Sequence, residues 1–277
     1  MVVDHGENLT YQGRRFWKLS GSGNDFIFFD LADGDAGELA SPSQVRRLCA
    51  RGTGIGADGV VFLRRAARGG TIRYLNNDGS LGELCGNATL CTVRLLERTG
   101  PMPDSDLDID TDAGKITARI VNGLPEIDLA PVSEVVPELR TIPRRASELH
   151  LGFARVGVPH VGVLLESVES APVIERGSEI RRSSVLRDGA NVNFLARSGG
   201  KWAIRTYERG VEGETLACGT GAVASAILLS TWGLAESPVV LRTRSGLEVT
   251  VTVQRDSSYW KASLRGSAEL VFTGVLA

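Results

Sequence analysis

The sequence Glu83-Leu84-Cys85-Gly86-Asn87-Ala88 returns 133 residues later as Leu216-Ala217-Cys218-Gly219-Thr220-Gly221. Further matches occur in the same order at offsets of 133 or 134, and they pair Gly56-Ala57-Asp58 with Gly189-Ala190-Asn191, Tyr74 with Tyr207, and Gly23 with Gly157. A period this long is typical of a duplicated domain and not of a solenoid array. The spacing therefore predicts two homologous halves that face each other across a pseudo-two-fold axis.

The chain length fits two halves, because 277 residues exceed the usual size of one domain. We place the first half at residues 1–130 and the second at 131–265, with the three prolines of Pro131–Pro143 in the crossover. A strand at about 266–277 is expected to pack back on the first half. The predicted fold class is α/β, of the α+β type. Each half wraps a mixed or antiparallel sheet around a central helix, and the active site lies in the cleft between the halves.

Short runs rich in β-branched and aromatic residues predict the strands. In the first half these are Asn24–Leu31, Gly59–Leu63, Ile72–Leu75, Ile116–Val121 and Glu126–Ala130, and in the second Asn191–Ala196, Trp202–Tyr207, Val239–Arg244 and Glu248–Val253. Ser41-Pro42 predicts a helix start, with a capping serine before a proline at the first helical position. An apolar stretch after each Cys-Gly predicts a buried helix in each half.

The composition excludes several classes of protein. A net charge of −2 gives no reason to expect a nucleic acid or an anionic membrane as partner. The N-terminal residues lack an apolar signal segment, and the longest apolar runs, such as Ala222–Leu229, are too short to cross a membrane. The cytoplasm is therefore the expected location. No CxxC pair or zinc-ligand spacing occurs, so we expect free thiols and no metal.

Two of the four cysteines are candidates for chemistry. Cys85 and Cys218 each precede a predicted helix, where unpaired N–H groups and the helix dipole favour an anion, so their thiols are expected to ionise more easily. The glycines that follow let a ligand approach those N–H groups, which can hold a carboxylate. Cys49 and Cys91 lie inside predicted helices and are expected to be core residues.

The duplication suggests what the two thiols do together. Equivalent thiols on either side of a pseudo-two-fold axis can face one carbon from opposite sides, and inversion by proton transfer needs a base on one side and an acid on the other. No motif argues for a pyridoxal, flavin or dinucleotide cofactor, so the carbanion would be stabilised by the two helix N-termini. The sequence thus predicts a cofactor-independent amino-acid epimerase.

Several motifs resemble those of the diaminopimelate epimerase family, from about Phe16 to the C-terminus. They are Gly21-Ser22-Gly23-Asn24-Asp25-Phe26, Gly54-Ile55-Gly56-Ala57-Asp58-Gly59, Asn76-Asn77-Asp78-Gly79-Ser80, Asn191-Val192-Asn193-Phe194, Tyr207-Glu208-Arg209-Gly210 and the two cysteine segments. The resemblance implies the fold of that family. It also implies conversion of LL-2,6-diaminopimelate to the meso isomer, a precursor of lysine and peptidoglycan.

The resemblance also implies roles for individual residues. Cys85 and Cys218 would be the two acid–base groups. The N–H groups of Gly86, Asn87, Gly219 and Thr220 would hold the reacting carboxylate. The residues that would bind the substrate, chiefly its distal amino-acid end, are Asn24, Asn76, Asn191, Glu208 and Arg209. His160 is expected to be structural, with an auxiliary part in tuning a cysteine as the alternative.

Val158 keeps a second activity open. The family commonly has asparagine before Pro-His, whereas Val158 precedes Pro159-His160 here. The alternative is a racemase, also free of pyridoxal, that acts on another amino acid such as histidine. Two other readings are a thiol redox protein and a duplicated scaffold without activity. A small amino-acid substrate is the expected partner, and a homodimer is the expected assembly.

Overall fold

A computed structural model describes residues 11–82, 84–103 and 105–277, so Glu83 of the first cysteine segment lies outside it. The first set of elements is β1 (Arg15–Gly21), β2 (Asn24–Asp30), α1 (Pro42–Cys49), β3 (Gly59–Ala66), β4 (Gly69–Asn76), β5 (Leu81–Gly82), α2 (Gly86–Thr99), β6 (Leu107–Thr111), β7 (Gly114–Val121) and β8 (Leu124–Val132). The second set is β9 (Val135–Val136), β10 (Glu148–Val156), β11 (Val158–Leu165), α3 (Val173–Arg181), β12 (Asn191–Ser198), β13 (Lys201–Glu208), β14 (Gly213–Thr215), α4 (Gly219–Thr231), β15 (Val239–Arg242), β16 (Glu248–Asp256), β17 (Tyr259–Gly266) and β18 (Ala268–Val275).

The strand pairings repeat from one half to the other. In the first half β1–β2 is antiparallel, β2–β3 parallel, β3–β4 antiparallel, β4–β6 parallel, and β6–β7–β8 antiparallel. In the second half β10–β11, β11–β12, β12–β13, β13–β15 and β15–β16–β17 follow the same order and directions. The two series meet where β8 pairs antiparallel with β17. The predicted mixed α/β fold of duplicated halves is confirmed.

The strand that follows each series along the chain pairs with the other half. β9 follows β8 along the chain but pairs with β10, and β18 follows β17 but pairs with β1. These exchanges, together with the β8–β17 ladder, make one continuous sheet from the two series. Backbone hydrogen bonds therefore hold the halves together on the side of the molecule where β8 and β17 lie.

The sheet wraps around helices α2 and α4. Nearly every residue from Gly86 to Leu96 is buried in α2, and every residue from Gly221 to Leu229 is buried in α4. A helix that is buried on nearly all sides lies inside a core, which is why the largely apolar stretch after each Cys-Gly becomes a central helix. None of the helices in the described ranges is both long and apolar enough to span a membrane.

The structure corrects two of the sequence matches, the first being that of Asp58 with Asn191, because β3 begins at Gly59 where β12 begins at Asn191. The β3–β4 hairpin closes with Ala66 opposite Gly69, and the β12–β13 hairpin with Ser198 opposite Lys201, so these hairpins are offset by 132 residues. Tyr74 therefore corresponds to Thr206, and the predicted match of Tyr74 with Tyr207 is wrong. The turn after β13 is one residue longer than the turn after β4, which restores the offset of 133 before the cysteines.

Candidate active site

The N-termini of α2 and α4 lie side by side at two glycines. A Cβ added to Gly219 would lie 3.7 Å from the Cα of Gly86 and 2.9 Å from Cδ2 of Leu264. A side chain at either position would therefore displace Leu264, which packs on both glycines. Cys85 and Cys218 are the capping residues of these helices, both in extended backbone conformation. The glycines thus bring the two thiol-bearing helix ends together.

Each thiol meets donors from the first turn of its own helix. The backbone N–H groups of Ala88 and Asn87 donate to Sγ of Cys85 and favour its thiolate. The backbone N–H of Gly221 does the same for Cys218, and its Sγ lies 3.7 Å from the Thr220 hydroxyl. This is the arrangement that the sequence predicts for a thiol at a helix N-terminus.

Burial nevertheless dominates the ionisation of both thiols. Burial raises the pKa of Cys85 to about 12, and it raises the pKa of Cys218 well above the usual thiol range. The negative charge of Glu208 adds to both increases. The expectation of easily ionised thiols is therefore not met without a ligand, because a dry site penalises the thiolate more than the helix N–H groups favour it. The charge of Glu208 therefore opposes the ionisation of both thiols.

A cavity of about 410 Å³ opens beside Cys218. The first half contributes Tyr74, Asn76, Leu81, Gly82, Leu84 and Ala113, and the second half contributes Val156, Gly157, Val158, Asn191, Glu208, Arg209, Cys218 and Thr220. Cys85 borders an adjacent recess that shares Tyr74, Gly82 and Leu84 with this cavity. The cavity has the size and mixed polarity of a small-molecule site.

Asn24 lies behind the cavity and supports the first turn of α2. Its Oδ1 accepts a hydrogen bond from Nδ2 of Asn87 at 2.6 Å, and its Nδ2 donates to Oδ2 of Asp58 at 2.9 Å. The same Asp58 oxygen accepts from the backbone N–H of Asp25 at 3.1 Å. Asp58 is a positioning residue that the sequence analysis missed, although the glycine-rich motif that contains it was the available signal.

Asn191 and Arg209 are tied to each other at the cavity wall. Oδ1 of Asn191 accepts a hydrogen bond from the backbone N–H of Arg209 at 2.7 Å. The Arg209 guanidinium donates to the backbone carbonyl of Asp188 at 3.0 Å, which leaves other N–H donors of this side chain for a ligand. The pair can therefore present a fixed cationic fork to a carboxylate.

His160 is buried in the wall beneath α4. Its Nδ1 lies 3.3 Å from Nδ2 of Asn193, and its Nε2 has no hydrogen-bond partner among the described residues. Burial, with a smaller effect of the Arg209 charge, lowers the pKa of His160 to about 3. The imidazole is therefore neutral near neutral pH and accepts a hydrogen bond from Asn193, as the structural interpretation of this residue requires.

Two equivalent turns border the cleft in different ways. The β15–β16 turn closes its side, because Ser245 donates to the carbonyl of Leu216 at 3.0 Å and to that of Ser22 at 3.2 Å. Ala113 is the equivalent residue in the β6–β7 turn, and it lines the cavity instead. Gly157 faces it with open space where Gly23 packs tightly on Ser245. The cavity is therefore accessible on the side of Ala113 and Gly157.

The site contains no residue set that suits a metal. Within the described ranges, no group of three or more His, Cys, Asp or Glu side chains is arranged to hold a metal ion. The chemically distinctive groups are instead two thiols, the half-buried carboxylate of Glu208, and several amides and backbone N–H groups. They suit the binding of a zwitterion and the movement of a proton.

Solved structures identify the fold class. The chain superposes on a phenazine biosynthesis protein of the PhzF family from Enterococcus faecalis, with a TM-score of 0.73, 15% identity and 96% and 99% of the two chains covered. A probable proline racemase from Agrobacterium radiobacter K84 gives a TM-score of 0.66, 17% identity and coverage of 95% and 93%. The fold is therefore the duplicated α/β fold that these proteins share.

The chain belongs to the diaminopimelate epimerase family. The family profile matches residues 16–129 and 152–271. The diaminopimelate epimerase of Gemmatimonas aurantiaca is 40% identical over 274 residues, covering 95% of this chain and 99% of that protein. The enzyme of Archaeoglobus fulgidus is 34% identical, with 94% and 95% covered. These similarities make the chain an isomerase of the epimerase type, and they do not favour a racemase for another amino acid.

Proposed function

We propose that this protein converts LL-2,6-diaminopimelate to meso-diaminopimelate by a two-base mechanism. The observation that carries the proposal is the meeting of the two cysteine-capped helix N-termini at Gly86 and Gly219, beside a cavity lined by polar groups. Two thiols in equivalent positions supply an acid and a base to opposite faces of one carbon. No cofactor is needed for this step if the site itself stabilises the carbanion.

The proton balance of the reaction is simple. One cysteine, as thiolate, removes the α-proton and becomes a thiol, while the other gives its proton to the opposite face and becomes a thiolate. The carboxylate of the reacting centre is held by the N–H groups of Gly86, Asn87, Gly219 and Thr220, where both helix dipoles favour negative charge. The same donors stabilise the charge that spreads onto the carboxylate when the proton leaves.

Substrate binding also lowers the pKa of the thiols, which is high in the ligand-free site. Glu208 raises the pKa of both cysteines, and its own pKa is raised by burial. The α-ammonium of the substrate brings a positive charge into the same space, and a nearby positive charge favours a thiolate. We infer that Glu208 binds the ammonium at the reacting end, so that a competent thiolate forms only with substrate present.

The distal amino-acid end requires other partners. Asn76, Asn191 and Arg209 line the cavity away from the helix ends, and Arg209 can bind a carboxylate with two N–H groups. In the ligand-free enzyme, Asn24 supports the site by accepting a hydrogen bond from the side chain of Asn87. Because these residues bind the distal centre only in its L configuration, inversion is restricted to the other of the two stereocentres. Val158 supplies only apolar surface to this end, so the amides and Arg209 carry its recognition.

The proposal includes the division of the chain and its assembly. We place the catalytic halves at residues 1–130 and 131–265, with β18 packed on the first half.

The apolar side chains of Val271, Phe272 and Val275 are exposed on β18, which supports a homodimer. Sedimentation velocity tests this assembly. We expect action in the cytoplasm on a small amino acid, without a nucleic acid partner.

Proton NMR in D2O tests the activity. Reduced enzyme and LL-diaminopimelate are expected to give the meso isomer with deuterium at the inverted α-position. L-histidine under the same conditions is the control for substrate class, and it is expected to exchange its α-proton at least about a hundredfold more slowly. Comparable exchange with histidine, or no exchange with diaminopimelate, would contradict the proposal.

A further inference from the structure

The two half-sites differ chemically at equivalent positions. Beneath α4 the sheet presents His160, Asn193 and Thr206, which form a buried polar cluster. The equivalent positions beneath α2 are Phe26, Val61 and Tyr74, as the pairings of β2, β3 and β4 show when compared with β11, β12 and β13. Tyr74 is therefore the one polar side chain among these three positions of the first half.

The hydroxyl groups of Tyr74 and Thr206 are used differently. The Thr206 hydroxyl donates to Oδ1 of Asn193 at 3.0 Å inside the buried cluster. Among the described residues, the Tyr74 hydroxyl makes no hydrogen bond to another side chain or backbone group, and Tyr74 lines the substrate cavity. A half-buried phenol in this position needs a polar partner, and the cavity is where a ligand can supply one.

The ring of Tyr74 is held in place from three sides. A Cβ on Gly59 would lie 2.5 Å from its Cε2, and a Cβ on Gly82 would lie 2.4 Å from its Cδ1. Phe26 packs against the ring edge-to-face, with centroids 5.9 Å apart and planes at 79°. Glycine on both neighbouring strands thus makes room for this ring, and its hydroxyl is fixed with little freedom to reorient.

The surroundings of Tyr74 favour a cation. Tyr74 lines the same recess as Cys85 and the same cavity as Glu208. Burial raises the pKa of Tyr74, and the charges of Cys85 and then Glu208 raise it further, so the phenol stays neutral. The carboxylate of the reacting centre already has the N–H groups of two helix ends. The ammonium has three N–H donors, and Glu208 cannot take all of them in one geometry.

We propose that the Tyr74 hydroxyl oxygen accepts a hydrogen bond from the α-ammonium at the reacting centre, which makes Tyr74 a substrate-positioning residue. This inference rests on the proposed function. The hydrogen bond fixes the rotation of the amino group about the reacting carbon, and so it directs the α-proton along the line between the two thiols. Only the first half supplies this contact, because Thr206 is committed to Asn193.

The Tyr74→Phe substitution removes the hydroxyl and keeps the ring between its glycines. Binding is measured by calorimetry on the Cys218→Ala background, which prevents turnover, with and without Tyr74→Phe. We expect the dissociation constant for LL-diaminopimelate to rise about tenfold, the usual effect of losing a hydrogen bond to a charged group. For L-2-aminopimelate, which can place its end without an amino group at the reacting position, the change is expected to stay within about twofold.

Tyr259→Phe is the matched control, because its hydroxyl bonds to Asp256 on the surface at 2.9 Å. It should bind both ligands as the parent does. Equal affinity of the Tyr74→Phe and parent proteins for LL-diaminopimelate, with unchanged thermal midpoints, would overturn the inference, as would equal losses for both ligands. Failure of the unsubstituted enzyme, with both cysteines present, to epimerise LL-diaminopimelate would instead contradict the proposed function, so the two failures are distinguishable.

Discussion

Cys85 and Cys218 are equivalent in sequence, but each takes its properties from the residues around it. Helix N–H groups favour the thiolate of each cysteine, whereas burial and Glu208 oppose it. A sequence can indicate the helix position of a thiol, because the capping pattern is local. It cannot indicate how dry the site is, since burial depends on strands more than a hundred residues away.

The raised pKa values predict slow alkylation of the ligand-free enzyme. A thiol whose folded pKa lies above its unfolded value carries less thiolate at every pH up to the folded value, and only the thiolate attacks iodoacetamide. Cys85 and Cys218 should therefore react more slowly than in the urea-unfolded chain from about pH 7 to pH 10. Mass spectrometry of each cysteine gives the rates. A plateau in alkylation rate near neutral pH would contradict the raised values.

The hydrogen bonds from Asp58 through Asn24 to Asn87 predict an effect of Asp58, a residue that does not line the 410 Å³ cavity. Asp58→Ala removes the acceptor that orients Asn24, so the side chain of Asn87 loses its fixed partner at the start of α2, and we expect kcat/KM to fall about tenfold to a hundredfold. Arg51→Ala is the matched control. Its guanidinium bonds to the same Asp58 at 2.9 Å, but its side chain is 64% exposed, so a change within about threefold is expected. Equal kinetic effects of the two substitutions would contradict the positioning role.

At the scale of elements, most strand positions could be predicted from runs of β-branched residues, although most of the strands are longer than those runs. The prediction missed helix α3 and eight strands, namely β1, β5, β6, β9, β10, β11, β14 and β17. The β10–β11 hairpin contains Gly152, Gly157, Pro159, His160 and Gly162, which conceal a strand pattern in a single sequence. The offset of 132 in the hairpins was also out of reach, because the compensating residue lies in a turn without a match in the other half.

The approach of the two central helices predicts a size limit at Gly219. In Gly219→Ala the new methyl group would lie 2.9 Å from Cδ2 of Leu264, a side chain that also packs on Gly86, so Leu264 would have to shift at the meeting point of α2 and α4. A shift there misplaces the thiols relative to one carbon, so we expect kcat/KM to fall about a hundredfold. Adding Leu264→Val removes the nearest atom and should recover part of the activity. Full activity of Gly219→Ala would show that the helix ends tolerate a larger residue.

At the scale of the whole molecule, the pseudo-symmetry is broken at the rim of the cleft. Ser245 bonds across one side, whereas Ala113 and Gly157 leave the equivalent contact open on the other. We expect the halves to close over the substrate from the open side, which would dry the site further. Small-angle scattering with and without a bound analogue measures this movement, and an unchanged profile would count against closure.

A bulky residue at the open rim should block access. Ala113→Trp fills the space between the β6–β7 turn and Gly157, so we expect KM to rise about tenfold or more while the thermal midpoint stays the same. Asp110→Trp lies on the outer surface of the same hairpin and is the control for the added ring. Steady-state kinetics compares the two, and equal KM values would place the access route elsewhere.

The central claim is that two cysteines, one from each half, act on one carbon. The most direct measurement is the epimerisation rate of LL-diaminopimelate with Cys85→Ala and Cys218→Ala, beside Cys91→Ala as a buried cysteine from α2. We expect each of the first two substitutions to lower the rate about a thousandfold, and Cys91→Ala to retain most of it. If either Cys85→Ala or Cys218→Ala epimerised as fast as Cys91→Ala, the two-base account would be contradicted.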